Sequence, residues 1–150
     1  MSTDSDVKDT AQQKQVILDF IKSQMIGVVC TINAEGLPEA ATVAISQTDD
    51  LELIFQTPND TRKYTNLQTN PNVAVVLGVS QDNYVTVQYE GVAREVVSDD
   101  ERARCAAIHD AKKGPGKASY SHILENKFFI VTPTRIRYSD LPNKIFFEVS

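Results

Sequence analysis

The stretch Phe55-Gln-Thr-Pro-Asn-Asp-Thr-Arg-Lys63 holds the residue types best suited to gripping an anion. A β-rich segment ends there, Pro58, Asn59 and Asp60 turn the chain, and Thr61, Arg62 and Lys63 open a short helix expected over 61–69. Unpaired N–H groups and partial positive charge at a helix N-terminus favour an anion. Arg62 adds a planar donor fork and Lys63 a point charge, a pairing that matches a terminal phosphate. Taken alone, a solvated helix start capped by Asp60 or Thr61 accounts for the same residues.

The other chemistry-bearing residues are less organised. His109 and His122 are the only histidines, and neither belongs to an HExxH or Cys/His spacing, so no metal site is expected. Cys30 and Cys105 form no CxxC pair and read as two unpaired thiols. Asp99, Asp100 and Glu101 stand at an expected helix start, where acids offset the dipole without catalysis. Residues 112–117, Lys-Lys-Gly-Pro-Gly-Lys, read as a flexible basic loop that could close over an anion. No Gly-x-Ser-x-Gly or Walker motif is present, and no side chain stands out as an acid, base or nucleophile, so the catalytic residues are unknown.

The elements that must position these groups follow from periodicity. Val16, Ile17, Phe20 and Ile21 have helical spacing and predict an amphipathic helix over 10–23 behind a polar tail, 1–9, expected to be disordered. Residues 26–32 and 37–46 predict a hairpin around Asn33-Ala-Glu-Gly36, and 51–57 a third strand. Asn70-Pro71 ends the short helix. The almost continuously apolar run 73–79 predicts a strand buried on both faces. Residues 84–97 alternate, with Gly91 marking a bulge. Ser98 with Glu101 predicts a capping box on a helix to about residue 110, followed by strands over 127–138 and 144–149. Many β segments with short helices between them predict a mainly β, closed or nearly closed antiparallel barrel, one domain over 10–150, and not a doubly wound sheet.

Composition narrows the function classes. With 41% apolar and 23% charged residues the chain reads as an ordinary globular protein, and its net charge of −5 disfavours general nucleic-acid binding. The N-terminal stretch lacks the order of a signal peptide, and no apolar run is long enough to span a bilayer, so a cytoplasmic protein that does not enter membranes is expected.

Several motifs, in order, resemble the FMN-binding split β-barrel family related to pyridoxamine 5′-phosphate oxidase. They are Gly36-Leu-Pro-Glu-Ala-Ala-Thr-Val43, Leu53-Ile-Phe-Gln-Thr57, Thr61-Arg-Lys63, Asn70-Pro-Asn-Val-Ala-Val75 and Tyr84-Val-Thr-Val-Gln-Tyr-Glu-Gly-Val-Ala-Arg94. The resemblance implies an antiparallel split β-barrel and a homodimer with FMN at the subunit interface. It implies that Thr61, Arg62 and Lys63 hold the phosphate. Ala41, Thr42 and Val43 would pass beside the isoalloxazine ring, largely through backbone groups, and Gln56 and Thr57 would meet the pyrimidine edge or ribityl chain. Gln88 on the long strand is a further candidate, with Thr86 on the same face an equal one. The implied activity is that of a flavin-dependent oxidoreductase acting with an unidentified small-molecule substrate or electron donor. Alternatives on the same fold are a non-catalytic flavin- or haem-binding protein, with His122 as an imaginable haem ligand, and an F420-dependent reductase. F420 would need more cations than Arg62 and Lys63, and Lys112, Lys113 and Lys117 are the evident supply. The chain departs from the oxidase proper: it has no tryptophan, no basic C-terminal motif and no basic residue in Ala40-Ala-Thr-Val-Ala44, so vitamin B6 oxidation is not expected.

Overall fold

Asp9 opens the first helix, α1 (Thr10–Lys22), its carboxylate accepting from the Ala11 N–H at 2.8 Å. The structure, a computed structural model, describes residues 9–78 and 83–150. The disordered tail expected over 1–9 and the end of the strand expected over 73–79 therefore fall largely or partly outside the described residues. Ser23, expected as the last helical residue, is instead the C-cap. Ile17, Leu18 and Ile21 bury the apolar face of α1 against the sheet.

Strands β1 (Ile26–Ile32) and β2 (Pro38–Ala44) form the expected hairpin. Gly36 supplies the positive φ (81°), and Asn33 Oδ1 accepts from the N–H groups of Glu35 and Leu37. The single strand expected over 37–46 is broken at Ile45. After Ala44 the chain leaves β1, and the two-residue strand β3 (Ser46–Gln47) pairs with β4 (Leu53–Pro58) instead. Helix α2 (Arg62–Thr69), β5 (Asn72–Leu77), β6 (Val85–Glu95), α3 (Asp99–Lys113), β7 (Asn126–Asp140) and β8 (Ile145–Val149) follow.

The sheet runs β2-β1-β5-β6-β7-β4-β3, every pairing antiparallel, with β8 also on β7. Its two ends, β2 and β3, are joined through Ile45, so the sheet closes on itself covalently. Between β2 and β4 no ladder forms although the two approach. This gap makes the barrel split. Gly91 lies at the expected bulge: the β6–β7 register shifts there, leaving Thr134 as the extra residue, and a Cβ on Gly91 would sit 2.5 Å from the Thr132 carbonyl oxygen. Pro133, with no N–H to give, occupies the same irregular spot.

Two apolar layers result. Inside the barrel, Val29, Leu53, Phe55, Val75, Leu77, Val87, Tyr89, Phe129 and Val131 pack together. Outside it, α3 lays Cys105 over Ile54, Phe128, Ile130 and Val96. The capping box expected at α3 is half made. Ser98 Oγ accepts from Glu101 N–H at 3.2 Å, but the Glu101 carboxylate is taken by a two-pronged contact with Arg94 at 2.7 Å on each oxygen. Lys112 and Lys113, expected in a flexible loop, form the last turn of α3. Lys112 is pegged down, its Nζ donating to Ile21 O at 3.0 Å and Gln47 Oε1 at 2.7 Å, and burial lowers its pKa to about 8.

The strand expected to be buried on both faces is buried on one. Val73, Val75 and Leu77 face the core, while Ala74 and Val76 lie open on the outside. Cross-strand partners share a face, so this outer surface continues through Val28 and Cys30 of β1 and meets Gln88 and Glu90 of β6 on its other side.

Tyr89 ties the interior. Its hydroxyl donates to Leu51 O at 2.6 Å and lies 3.1 Å from Val131 O, which holds the turn where Leu51 adopts a φ of 67°. Replacing Tyr89 with Phe strands the buried Leu51 carbonyl and should cost about 1–3 kcal/mol of unfolding free energy, read by urea denaturation.

Candidate functional site

The split between β2 and β4 is the candidate site. Because Asn33 N–H donates to Leu37 O, hydrogen-bonded pairs alternate from there along the hairpin, and the backbone groups of Ala40 and Thr42 point away from β1 toward the split. Ala41 and Val43 direct theirs into β1; Val43 sends its side chain to the core, and Ala41 is half-buried at the groove wall. Facing this edge is the turn from β4 into α2. Thr57, fully buried, has its hydroxyl 2.8 Å from that of Thr61. Thr61 is the N-cap, accepting from Tyr64 N–H at 3.3 Å and donating to Pro58 O at 3.0 Å, so Asp60 is not the cap. A cavity of about 300 Å³ lies between, lined by Thr31, Glu39, Ala40, Ala41, Thr61, Arg62 and Lys63.

The two cations differ in standing. Lys63 is half-buried, has no acidic partner among the described residues, and has its pKa lowered by desolvation. Arg62 is 85% exposed and pairs with Glu39 Oε2 at 3.2 Å. Glu39 is anchored from beneath by Asn66, whose Nδ2 reaches Glu39 Oε1 at 2.8 Å and Thr31 Oγ1 at 2.9 Å. Sequence reading missed this carboxylate, because nothing local links Glu39 to a helix that starts more than twenty residues later.

Gln56 comes to the same split but faces the α3 side, and its Oε1 is buried without a partner. Gln88 does not reach the groove within one chain. It lies exposed on the outer face of β6 between Val76 and Arg137, beside Glu90, Arg135 and Glu148. Thr86 shares that face.

A second cavity, of about 510 Å³, opens farther along the split, lined by Ala44, Gln56, Pro58, His109, Lys113, Tyr120, Ile123 and Asn126. Its outer wall is fastened to α3. The Arg102 guanidinium donates to the carbonyls of Ser121, Ile123 and Asn126 at 2.8–3.0 Å while lying over the Phe128 ring, and the Asp110 carboxylate accepts from the hydroxyls of Ser119 and Ser121. His109 is 2% exposed, with Nδ1 2.8 Å from Ser46 Oγ and Nε2 unpartnered. The signal for its burial was present, since it follows Cys105 by one helical turn on the same face of α3. His122 is exposed. Among the described residues no cluster of His, Cys, Asp or Glu could hold a metal ion, and no helix is long and apolar enough to cross a membrane.

The family model described as pyridoxamine 5′-phosphate oxidase matches residues 13–140. The chain belongs to that family, and its barrel is the split barrel of the family's fold. A conserved hypothetical protein of Mycobacterium tuberculosis superposes with a TM-score of 0.74 at 22% identity, over 86% of this chain and 85% of that one. A heme binding protein from Mycobacterium smegmatis gives 0.73 at 17% identity, over 96% of this chain and 59% of the other. An F420 reductase gives 0.64 at 22% identity, over 79% and 93%. No curated protein matches the chain in sequence.

Burial, then the charges of Lys113 and Lys112, lower the His109 pKa from 6.5 to about 4, with Asp110 opposing. Between those values the unfolded chain binds the proton and the folded chain does not, so stability falls as the pH drops from 6.5 to 4. The loss should reach about 3 kcal/mol. Urea titrations at pH 7 and pH 4.5 should show this slope in the native chain and a flatter one in His109→Gln.

Proposed function

We propose that the chain binds FMN in the split of its barrel and works as a flavin-dependent oxidoreductase. One observation carries the reading. The N-terminus of α2, with a half-buried lysine that has no acidic partner among the described residues, faces the unpaired backbone edge of β2 across a cavity, so an anion and a polar ring edge can both be held there. Lys63, Thr61 and the first N–H groups of α2 would hold the phosphate. Arg62 would join by leaving Glu39, an exposed pairing that costs little to break. Thr57 would support the cap from below, and the outward backbone groups of Ala40 and Thr42 would bracket the ring. Gln56 offers a buried acceptor toward its polar edge. Bound in this way, the flavin would supply the electron or hydride chemistry, while the chain binds it, orients it and excludes water.

F420 is the less favoured cofactor. Its support is the resemblance to an F420 reductase, a likeness of fold. Of the basic cluster expected to hold its tail, Lys112 is committed to Ile21 O and Gln47.

Titration with FMN should saturate at one per chain, followed by flavin absorbance. Lys63→Ala should weaken FMN by about 2–4 kcal/mol and Arg62→Ala by less, because only the former charge is partly desolvated. Riboflavin, which lacks the phosphate, should bind both variants as it binds the native chain. Unchanged FMN affinity in Lys63→Ala would remove the phosphate assignment.

The working unit is proposed to be a homodimer. The outer face carrying Ile26, Val28, Ala74 and Val76 is apolar, is bordered on β6 by Gln88 and Glu90, and runs directly into the outward side of β2 that borders the groove. A second copy there would cover that face and wall the cofactor, and Gln88 would then be carried into the interface. Val76→Glu should convert a particle of twice 16.6 kDa to one of 16.6 kDa in light scattering, with the circular dichroism spectrum unchanged.

A further inference from the structure

Behind the groove at the α2 end lies a second chamber of about 320 Å³, between the hairpin loop at Asn33 and Glu35 and the α2 residues Thr65 and Asn66. Glu39, Thr61 and Arg62 line this chamber and the groove alike. The Glu39–Arg62 ion pair is therefore the partition between the two. Position along β2 gives the order. Its inward-facing residues run Val43, Ala41, Glu39, so the carboxylate stands about 7 Å past the groove wall at Ala41.

Glu39 is fixed where it stands. Thr31 is its cross-strand partner, and buried Asn66 gives one amide hydrogen to each, at 2.9 Å to Thr31 Oγ1 and 2.8 Å to Glu39 Oε1. Swinging Glu39 away would leave a buried Asn66 N–H without an acceptor, which is costly. Its other oxygen, Oε2, is covered by Arg62 at 3.2 Å. A phosphate that draws Arg62 into the groove leaves that oxygen bare. Asp60 and Glu35 line the chamber behind it, and of the described residues around this chamber Arg62 alone is cationic. Both of those acids are exposed, whereas the Glu39 side chain is 26% exposed and its charge is screened less.

We propose that Glu39 is a specificity-determining residue that ends the ligand at its phosphate. The groove takes a terminal phosphate monoester, and a phosphodiester whose tail carries a further negative charge is turned away at Glu39. The monoester needs only the near side of the partition, where Lys63, Thr61 and the first N–H groups of α2 stand. A tail that continues along the cleft crosses the partition and meets the bare Glu39 oxygen, with Glu35 and Asp60 behind it. The inference rests on the phosphate assignment of the groove.

The test compares FMN, its ethyl ester and its 2-carboxyethyl ester on the full chain by flavin fluorescence titration. The two esters share the phosphate charge and are close in size, so the ratio of their affinities reads the charge of the tail. The carboxyethyl ester should bind roughly tenfold more weakly than the ethyl ester at low salt. That ratio should approach one in about 1 M salt, where screening acts over about 3 Å. Glu39→Gln, which keeps an acceptor for Asn66, should bring the ratio near one at low salt. Glu35→Gln combined with Asp60→Asn should leave most of it in place. Equal binding of the two esters by the native chain, a ratio indifferent to salt, or one that survives in Glu39→Gln overturns the inference. The salt series on the native chain decides the matter by itself if Glu39→Gln fails to fold. FMN that binds more tightly than riboflavin while the two esters bind alike sinks this inference and keeps the cofactor reading. FMN and riboflavin binding alike, or no flavin binding at all, removes both.

Discussion

Everything in this barrel depends on how the chain passes Ile45. A curled sheet has two edges, and each presents unpaired backbone groups. Here one continuous segment supplies both edges: β2 pairs with β1, and β3, two residues later, pairs with β4 at the opposite end of the sheet. Ile45 is 1% exposed, and its N–H donates to Met25 O at 3.1 Å, so the corner is held by burial and by one backbone bond. Closure through a corner cannot also be closure by a full ladder. The remainder of β2 keeps an open edge opposite β4 and α2, and this edge is the floor of the candidate site. The split is a consequence of topology before it is a binding feature.

The groups around the split are held by longer reach. From below, Asn66 on α2 fixes Glu39 on β2 and Thr31 on β1, tying the helix that carries the cations to the hairpin they face. From the side, α3 is locked at both ends. Arg94 holds its first turn through Glu101, and Lys112 nails its last turn to α1 and β3. Between them Arg102 and Asp110 hold the 119–126 segment, so the cavity wall around Tyr120 and Ile123 is braced by α3. A half-buried ammonium and a buried neutral imidazole on one helix are both costly to charge in place. They persist because each has a hydrogen-bond partner, Gln47 for the one and Ser46 for the other, on the same short strand.

The electrostatics separate two regions of one cleft. At the α2 end a half-buried cation stands without an acid among the described residues, and the nearby carboxylate is occupied by an exposed arginine. At the α3 end the titratable groups are neutral or already engaged, and the free valences are hydrogen bonds. A ligand that is anionic at one end and a neutral hydrogen-bonding ring at the other fits this sequence of environments, although the chain as a whole carries a net charge of −5.

The sequence by itself determined the elements and the local chemistry. Hydrophobic period separated helices from strands, Gly36 and Gly91 marked the positions where backbone freedom or close approach is needed, and Thr61-Arg-Lys63 announced a helix start fit for an anion. These signals act over a few residues, so they survive in the linear chain. Only the tertiary structure decided that 37–46 breaks into two strands on opposite edges, that 73–77 leaves one face open, and that Lys112 is a half-buried strut rather than part of a loop. It alone brought Glu39 to Arg62, and Ser46 and Gln56 to His109, and it carried Gln88 to another surface. Each of these is a contact between segments distant in sequence. It depends on the register and curl of the whole sheet, and neither is encoded in any single segment.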